Sequence, residues 1–111
     1  MRGAYLGEFE ELVLLVVGIL YQDAYGLSIT DELEKQTGRK VQLSAVHKAL
    51  VRLEEKDYLR SEMSAPSPER GGRAKKLYYL TDAGRKAVRQ AYEQRNSMWN
   101  QIPDVVWNPG I

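Results

Sequence analysis

The sequence predicts a mostly helical α+β domain, on three observations. Apolar residues recur at helical spacing in four separate stretches. Between the third and fourth of these the period drops from 3.6 toward 2 on either side of a segment holding two Pro and two Gly, which reads as two strands joined by a loop. The chain has 111 residues, 43 % of them hydrophobic, enough for one domain with a core of its own.

Residues 1 to 7 form a short lead with two Gly. The first helix is expected from Glu8 to about Tyr21. It opens on the acidic Glu8, Glu10 and Glu11 and continues through Phe9, Leu12, Val13, Leu15, Val16, Ile19 and Leu20, while Leu14 and Val17 make it apolar nearly all round. A helix apolar on every side must be covered on every side. So small a chain cannot easily wrap one helix, which predicts a second copy over part of it; the alternative is a central helix enclosed by one chain. Ala24-Tyr25-Gly26 breaks the pattern. A second helix then runs to about Thr37 with Leu27, Ile29 and Leu33 inward, and Gly38 stops it. After the short basic stretch Arg39-Lys40-Val41, Ser44 reads as the N-cap of a third helix, with Leu43 before it. That helix reaches Lys56 or Asp57 on an apolar stripe of Val46, Ala49, Leu50 and Leu53. Residues 58–63 alternate as a strand, Ser64 to Lys75 form a loop, and Lys76 to Leu80 return as a second strand rich in β-formers. Thr81 caps a long last helix that runs to about Gln101 and stops before Pro103.

This order is that of a winged helix-turn-helix: three helices and a β-hairpin wing, followed here by a long C-terminal dimerisation helix. The expected division is a winged-helix unit over 1–81, the dimerisation helix over 82–102 and a tail over 103–111, partly ordered through Val105, Val106 and Trp107, the whole forming a single compact unit.

Composition removes several classes of function. There is no Cys, so disulfides, thiolate metal sites and Cys nucleophiles are excluded. The longest apolar run, Leu12 to Leu20, has nine residues, and a bilayer needs about 20. No metal site, cofactor or membrane association is expected, and the protein reads as soluble and cytoplasmic. The single His, His47, has no evident triad partners, and no nucleotide loop or nucleophile elbow is present, so an enzyme is not expected.

The net charge of +1 is a cancellation. Residues 1–38 hold seven acidic and two basic side chains, net −5; residues 39–86 hold twelve basic and six acidic, net +6; the rest sum to zero. The positive excess lies on the third helix, its flanks and the loop, where a winged helix would meet phosphate. With Val46, Leu50 and Leu53 turned inward, Ser44, Lys48, Arg52 and Glu55 point outward, with Ala45 and His47 on the flanks. Lys48 and Arg52 can donate to phosphates or guanine acceptors, and Gln42 and Ser44 can reach base edges. Glu55 would be repelled by phosphate, which turns the C-terminal half of the helix away from DNA; Val51 lies off the stripe without an assigned role. His47 reads equally as a phosphate contact or as a partly exposed surface residue. In the loop, Arg70, Gly72, Arg73, Lys75 and Lys76 combine a tight turn with cations able to reach phosphate or the minor groove. Helix 44–57 and wing 64–76 are therefore the candidate DNA-binding elements, with double-stranded DNA as the partner.

On the last helix Val88, Tyr92, Arg95, Trp99 and Ile102 follow spacings of 4, 3, 4 and 3, a heptad-like seam with Arg95 at its edge. The expected homodimer interface joins Phe9, Leu12 and Val16 of the first helix to Val88, Tyr92, Trp99 and Ile102 of the last. A two-fold dimer would hold two recognition helices about 34 Å apart, one turn of DNA.

The chain resembles the PadR family of bacterial transcriptional regulators, its small members with one C-terminal helix. The resemblance is spread over residues 12 to 88. It rests on Tyr25-Gly26 opening the second helix, Leu50-Val51-Arg52-Leu53-Glu54-Glu55-Lys56 closing the third, Gly71-Gly72-Arg73 in the wing, and Tyr78-Tyr79-Leu80-Thr81-Asp82-Ala83-Gly84-Arg85 from strand to helix. Where the family's recognition helix opens on a Gly-Thr-Val-Tyr-like run, this chain has Ser44-Ala45-Val46-His47, so His47 replaces a Tyr that is often a DNA contact. The resemblance implies a homodimeric repressor on an inverted-repeat operator. Because some relatives stack flat drugs on aromatics at the dimer centre, it also raises a small aromatic effector on Trp99, against the plainer reading that Trp99 and Trp107 pack at the interface. The rival function is a winged helix that binds another protein and no specific DNA.

Overall fold

The computed structural model describes residues 6–66 and 74–110. Its elements are α1 (Glu8–Ile19), α2 (Gly26–Thr37), α3 (Leu43–Glu55), β1 (Leu59–Met63), β2 (Lys76–Leu80), α4 (Asp82–Asn100) and α5 (Asp104–Trp107). This is the winged helix-turn-helix order expected from the sequence.

α1 begins at an acidic turn that suits the positive end of a helix, and the Gly7 N–H donates to Glu10 Oε1 at 3.3 Å. Val13, Leu14, Val16 and Val17 are buried, while Leu15 and Ile19 remain about half exposed. The chain thus encloses most of α1 by itself. In α2 the Tyr25 N–H donates to Ser28 Oγ at 2.9 Å, and the helix ends at Gly38 with φ +71°. Ile29 and Leu33 face the core as expected, but Leu27 is exposed. Two residues before Ile29 on a helix is about 200° of rotation, which turns Leu27 to the opposite side.

α3 starts two residues earlier than Ser44 as its N-cap would place it. Gln42 is the N-cap, its carbonyl accepting from the Ala45 and Val46 N–H groups at 3.0 and 3.2 Å, and Ser44 lies exposed within the first turn. The helix buries Val46, Ala49, Leu50 and Leu53 as expected. Its end is a Schellman motif: the Tyr58 N–H donates to the Leu53 carbonyl, the Asp57 N–H to the Glu54 carbonyl, and Asp57 takes φ +65°.

β1 and β2 pair antiparallel from Leu59 opposite Leu80 to Met63 opposite Lys76. β2 is also tied to the α1–α2 turn, the Tyr78 N–H donating to the Ala24 carbonyl at 2.8 Å. Tyr58, Leu59 and Tyr78 close the core beneath the helices. Thr81 caps α4 as expected, accepting from the Gly84 N–H at 2.9 Å and donating to the Asp57 carbonyl at 2.6 Å. A side chain at Gly84 would bring its Cβ within 2.0 Å of the Tyr58 carbonyl oxygen, so glycine seats the helix on the α3–β1 corner. From Tyr92 to Gln101 every residue of the arm is exposed. Beyond Pro103, the tail forms the single turn α5, which folds Trp107 onto Trp99 with ring centroids 4.7 Å apart. Among the described residues no helix is long and apolar enough to cross a membrane.

Candidate nucleic-acid interface

Burial of one side of α3 fixes what its other side presents. Leu43, Ser44, Ala45, His47, Lys48, Val51, Arg52 and Glu55 are all exposed, and Gln42 is exposed just before the helix. At 100° per residue the centre of the outward face falls on Ser44, Lys48, Val51 and Glu55. Val51 therefore belongs to the face that would meet a partner, and simple rotation of the helix could have found it.

His47 packs against the start of α2. A Cβ on Gly26 would lie 2.9 Å from His47 Cε1, so the glycine is the seat of the imidazole. Around this contact lies a groove of about 400 Å³ lined by Tyr25, Leu27, Leu43, His47, Val51 and Lys75, among others. The Lys75 ammonium stands 3.6 Å from the Tyr25 ring centroid, a cation–π contact that pins the base of the wing to the opening of α2. The Ser64 N–H donates to the Lys75 carbonyl at 2.7 Å, and the Lys75 N–H to Ser64 Oγ at 2.9 Å, which closes the wing's root. Arg70, Gly72 and Arg73 lie outside the described residues.

The cations on this side differ in what holds them. Lys76 stands 3.8 Å from Glu54, and Arg60 lies over the Tyr79 ring and pairs with Glu62 at 3.0 Å. Arg52, expected among the outward donors, turns toward α1 and binds Glu10 through Nε at 2.9 Å, though half of its side chain is exposed. Lys56 joins the same carboxylate at 2.8 Å. Periodicity gives the direction of a Cα–Cβ bond, not the reach of an arginine, and Arg52 leaves α3 about 70° from the outward centre. Burial pushes the Glu10 carboxyl up, but the hydrogen bonds from Lys56 and Arg52 outweigh it and hold the group below the usual carboxylate range. Burial likewise raises the Tyr78 hydroxyl above its ordinary value. Lys48 enters no ion pair among the described residues. The positive potential of α3 is thus concentrated on its first two turns and the adjoining wing base, while its last turn is neutralised by α1.

The residues expected at a dimer interface fall into two groups. Val16 is buried in the chain's own core, and Phe9, Leu12, Val88 and Ile102 are half-buried. Tyr92 and Trp99 are 62 % and 59 % exposed. Both stand on the outer part of α4, and Trp99 lines a groove of about 1080 Å³ between α4 and the start of α1. Trp99 is already stacked on Trp107, so a flat effector would have to compete with that ring or extend the stack. Among the described residues no group of His, Asp or Glu could hold a metal ion.

Several solved structures share this fold. The RosR protein of H. salinarum is 28 % identical, with 89 % of this chain and 82 % of that one covered and a TM-score of 0.67. A PadR family transcriptional regulator of Eggerthella lenta is 25 % identical over 89 % of this chain and 86 % of its own, also at 0.67. Bacillus subtilis PadR, solved in complex with operator DNA, shares the fold at 19 % identity and a TM-score of 0.62 over 77 % of this chain and 46 % of its own. No match is found among curated proteins. The transcriptional regulator PadR-like family matches residues 13–90, which span the buried helices, the wing and the first half of α4, and the chain belongs to that family.

Proposed function

We propose that this protein is a sequence-specific DNA-binding regulator that represses transcription as a homodimer on an inverted-repeat operator. The observation that carries the reading is one continuous face made by the first two turns of α3 and the base of the wing. Gln42, Ser44, Ala45, His47 and Lys48 are exposed there beside Lys75 and Lys76. Polar side chains at the helix start suit base edges in a major groove, and the lysines suit flanking phosphates. Arg70, Gly72 and Arg73 extend the same role into the wing. Bacillus subtilis PadR, with the same fold, has been solved with operator DNA. Such a protein works where the chromosome is, which in a bacterial cell is the cytoplasm.

The homodimer rests on the arm. The radius of gyration is 16.9 Å, against about 13 Å for a compact chain of this length. The excess comes from an α4 that leaves its own domain with Tyr92, Met98 and Trp99 uncovered. Packing two such arms in the grooves between α4 and α1 would cover these residues and place two recognition helices on one side. A small aromatic effector at Trp99 would have to use the free face of its ring, because Trp107 already occupies the other.

Light scattering at micromolar concentration should give twice the mass of one chain. Lys48→Glu should weaken binding to duplex DNA at least tenfold while leaving the dimer and its melting temperature unchanged. A monomer contradicts the assembly. Unchanged affinity in the variant contradicts the DNA face and favours a winged helix that binds protein.

A further inference from the structure

Glu10 and Glu11 stand side by side on the first turn of α1, and both are buried, at 6 % and 8 % exposure. Their carboxylates turn to different neighbours. Glu10 holds Arg52 and Lys56 of α3 at 2.9 and 2.8 Å. Glu11 holds Arg95 Nη2 of α4 at 2.8 Å. One helical turn therefore ties the recognition helix to the C-terminal arm, through contacts 42 and 46 residues apart on one side and 84 on the other.

The root of α4 is fixed by Gly84 against the Tyr58 carbonyl and by Thr81 on Asp57. A helix held only at its root can swing. Arg95 stands eleven residues beyond Gly84, about 16 Å along the axis, and supplies a second point of attachment. Between these points Ala87 and Val88 pack against the core, whereas beyond Arg95 the rest of the helix is exposed and an open groove lies between α4 and the start of α1, so packing within the chain does little to brace the arm's outer end. Two attachment points define a direction.

We propose that Glu11 and Arg95, with Glu10 securing the α3 side, are positioning residues that set the angle between recognition helix and arm and so the half-site spacing the dimer accepts. This rests on the homodimer reading given above. The leverage is adequate: α4 has 19 residues, about 28 Å, so a swing of roughly 10° moves its tip about 5 Å, one and a half rises of 3.4 Å along DNA. Neither glutamate touches DNA in this scheme; they act through the helices they hold.

The test uses duplexes that the wild-type protein selects from a random library, re-spaced by inserting or deleting one or two base pairs between half-sites, together with a duplex carrying one half-site. Wild-type affinity is expected to fall at least tenfold when the spacing changes. Arg95→Gln, at a side chain 62 % exposed and so safe for folding, and Glu11→Gln should bind the whole series within threefold while matching wild type on the single half-site. Arg95→Lys, which keeps the charge, should retain the wild-type profile. Gln variants that keep wild-type spacing selectivity overturn the proposal, as does a parallel loss of half-site affinity, which would mark a merely structural role. A wild-type dimer indifferent to spacing overturns the proposal and leaves the dimer standing, whereas a monomer in light scattering overturns both.

Discussion

Two residues shape the face of α3 without belonging to its outward side. Gly26 leaves room for the His47 ring, and a methyl group there would meet it at 2.9 Å. The obstacle is a side chain and can rotate. Gly26→Ala is therefore expected to fold with a loss of about 1 kcal/mol, while the imidazole moves into solvent and its NMR resonances shift. Unmoved resonances would contradict the seat. Glu10 is the second. Its carboxyl is held below its ordinary value of 4.5, so its stabilising contribution is complete above that value and is lost as pH falls through the lowered folded one. The melting temperature of wild type should therefore fall more steeply between pH 5 and pH 3 than that of Glu10→Gln. Parallel curves would show that the Arg52–Glu10–Lys56 cluster contributes nothing to folding. The sequence made the acidic turn of Glu8, Glu10 and Glu11 legible as a helix start but not as a clamp, because an ion pair 42 residues away leaves no local periodicity to read.

At the scale of elements, the corner between α3, β1 and α4 is where backbone geometry does most to define the domain. Asp57 takes a left-handed conformation that glycine adopts at less cost. Asp57→Gly is expected to leave stability unchanged or raise it by up to about 1 kcal/mol. Gly84→Ala, which would press a Cβ to 2.0 Å from a backbone carbonyl, should cost about 3 kcal/mol or more. Denaturant unfolding of the two variants checks both, and a stable Gly84→Ala would mean that α4 is not seated as described. All four long helices, both strands and the Thr81 cap were legible in the sequence, because they carry a period and punctuating residues such as Gly38 and Thr81. Three features were not. Ser44 resembles a cap yet lies within the first turn, since the Gln42 carbonyl already begins the hydrogen-bond ladder. Leu27 counts as apolar yet falls on the far side of α2 from Ile29. α5 is too short to show a period, although Val105, Val106 and Trp107 predict partial order there, and its stacking of Trp107 on Trp99 leaves no local signal.

For the whole molecule, the division of charge read from the sequence acquires a structural cause. Part of the acidic excess of α1 is turned inward, where Glu10 neutralises the last turn of α3 and Glu11 holds α4. Among the described residues, what remains positive on the outward side is the first half of α3 and the base of the wing, so the field is local. We propose that this face, doubled by a homodimer, binds the phosphates of duplex DNA. Affinity for a random duplex, measured as a function of salt, decides this. If Lys48, Lys75 and Lys76 of both protomers each neutralise a phosphate, the log–log slope should be about −5, and Lys48→Ala should make it shallower by about 2. A flat response, or no binding at low salt, would show that this face does not bind duplex DNA.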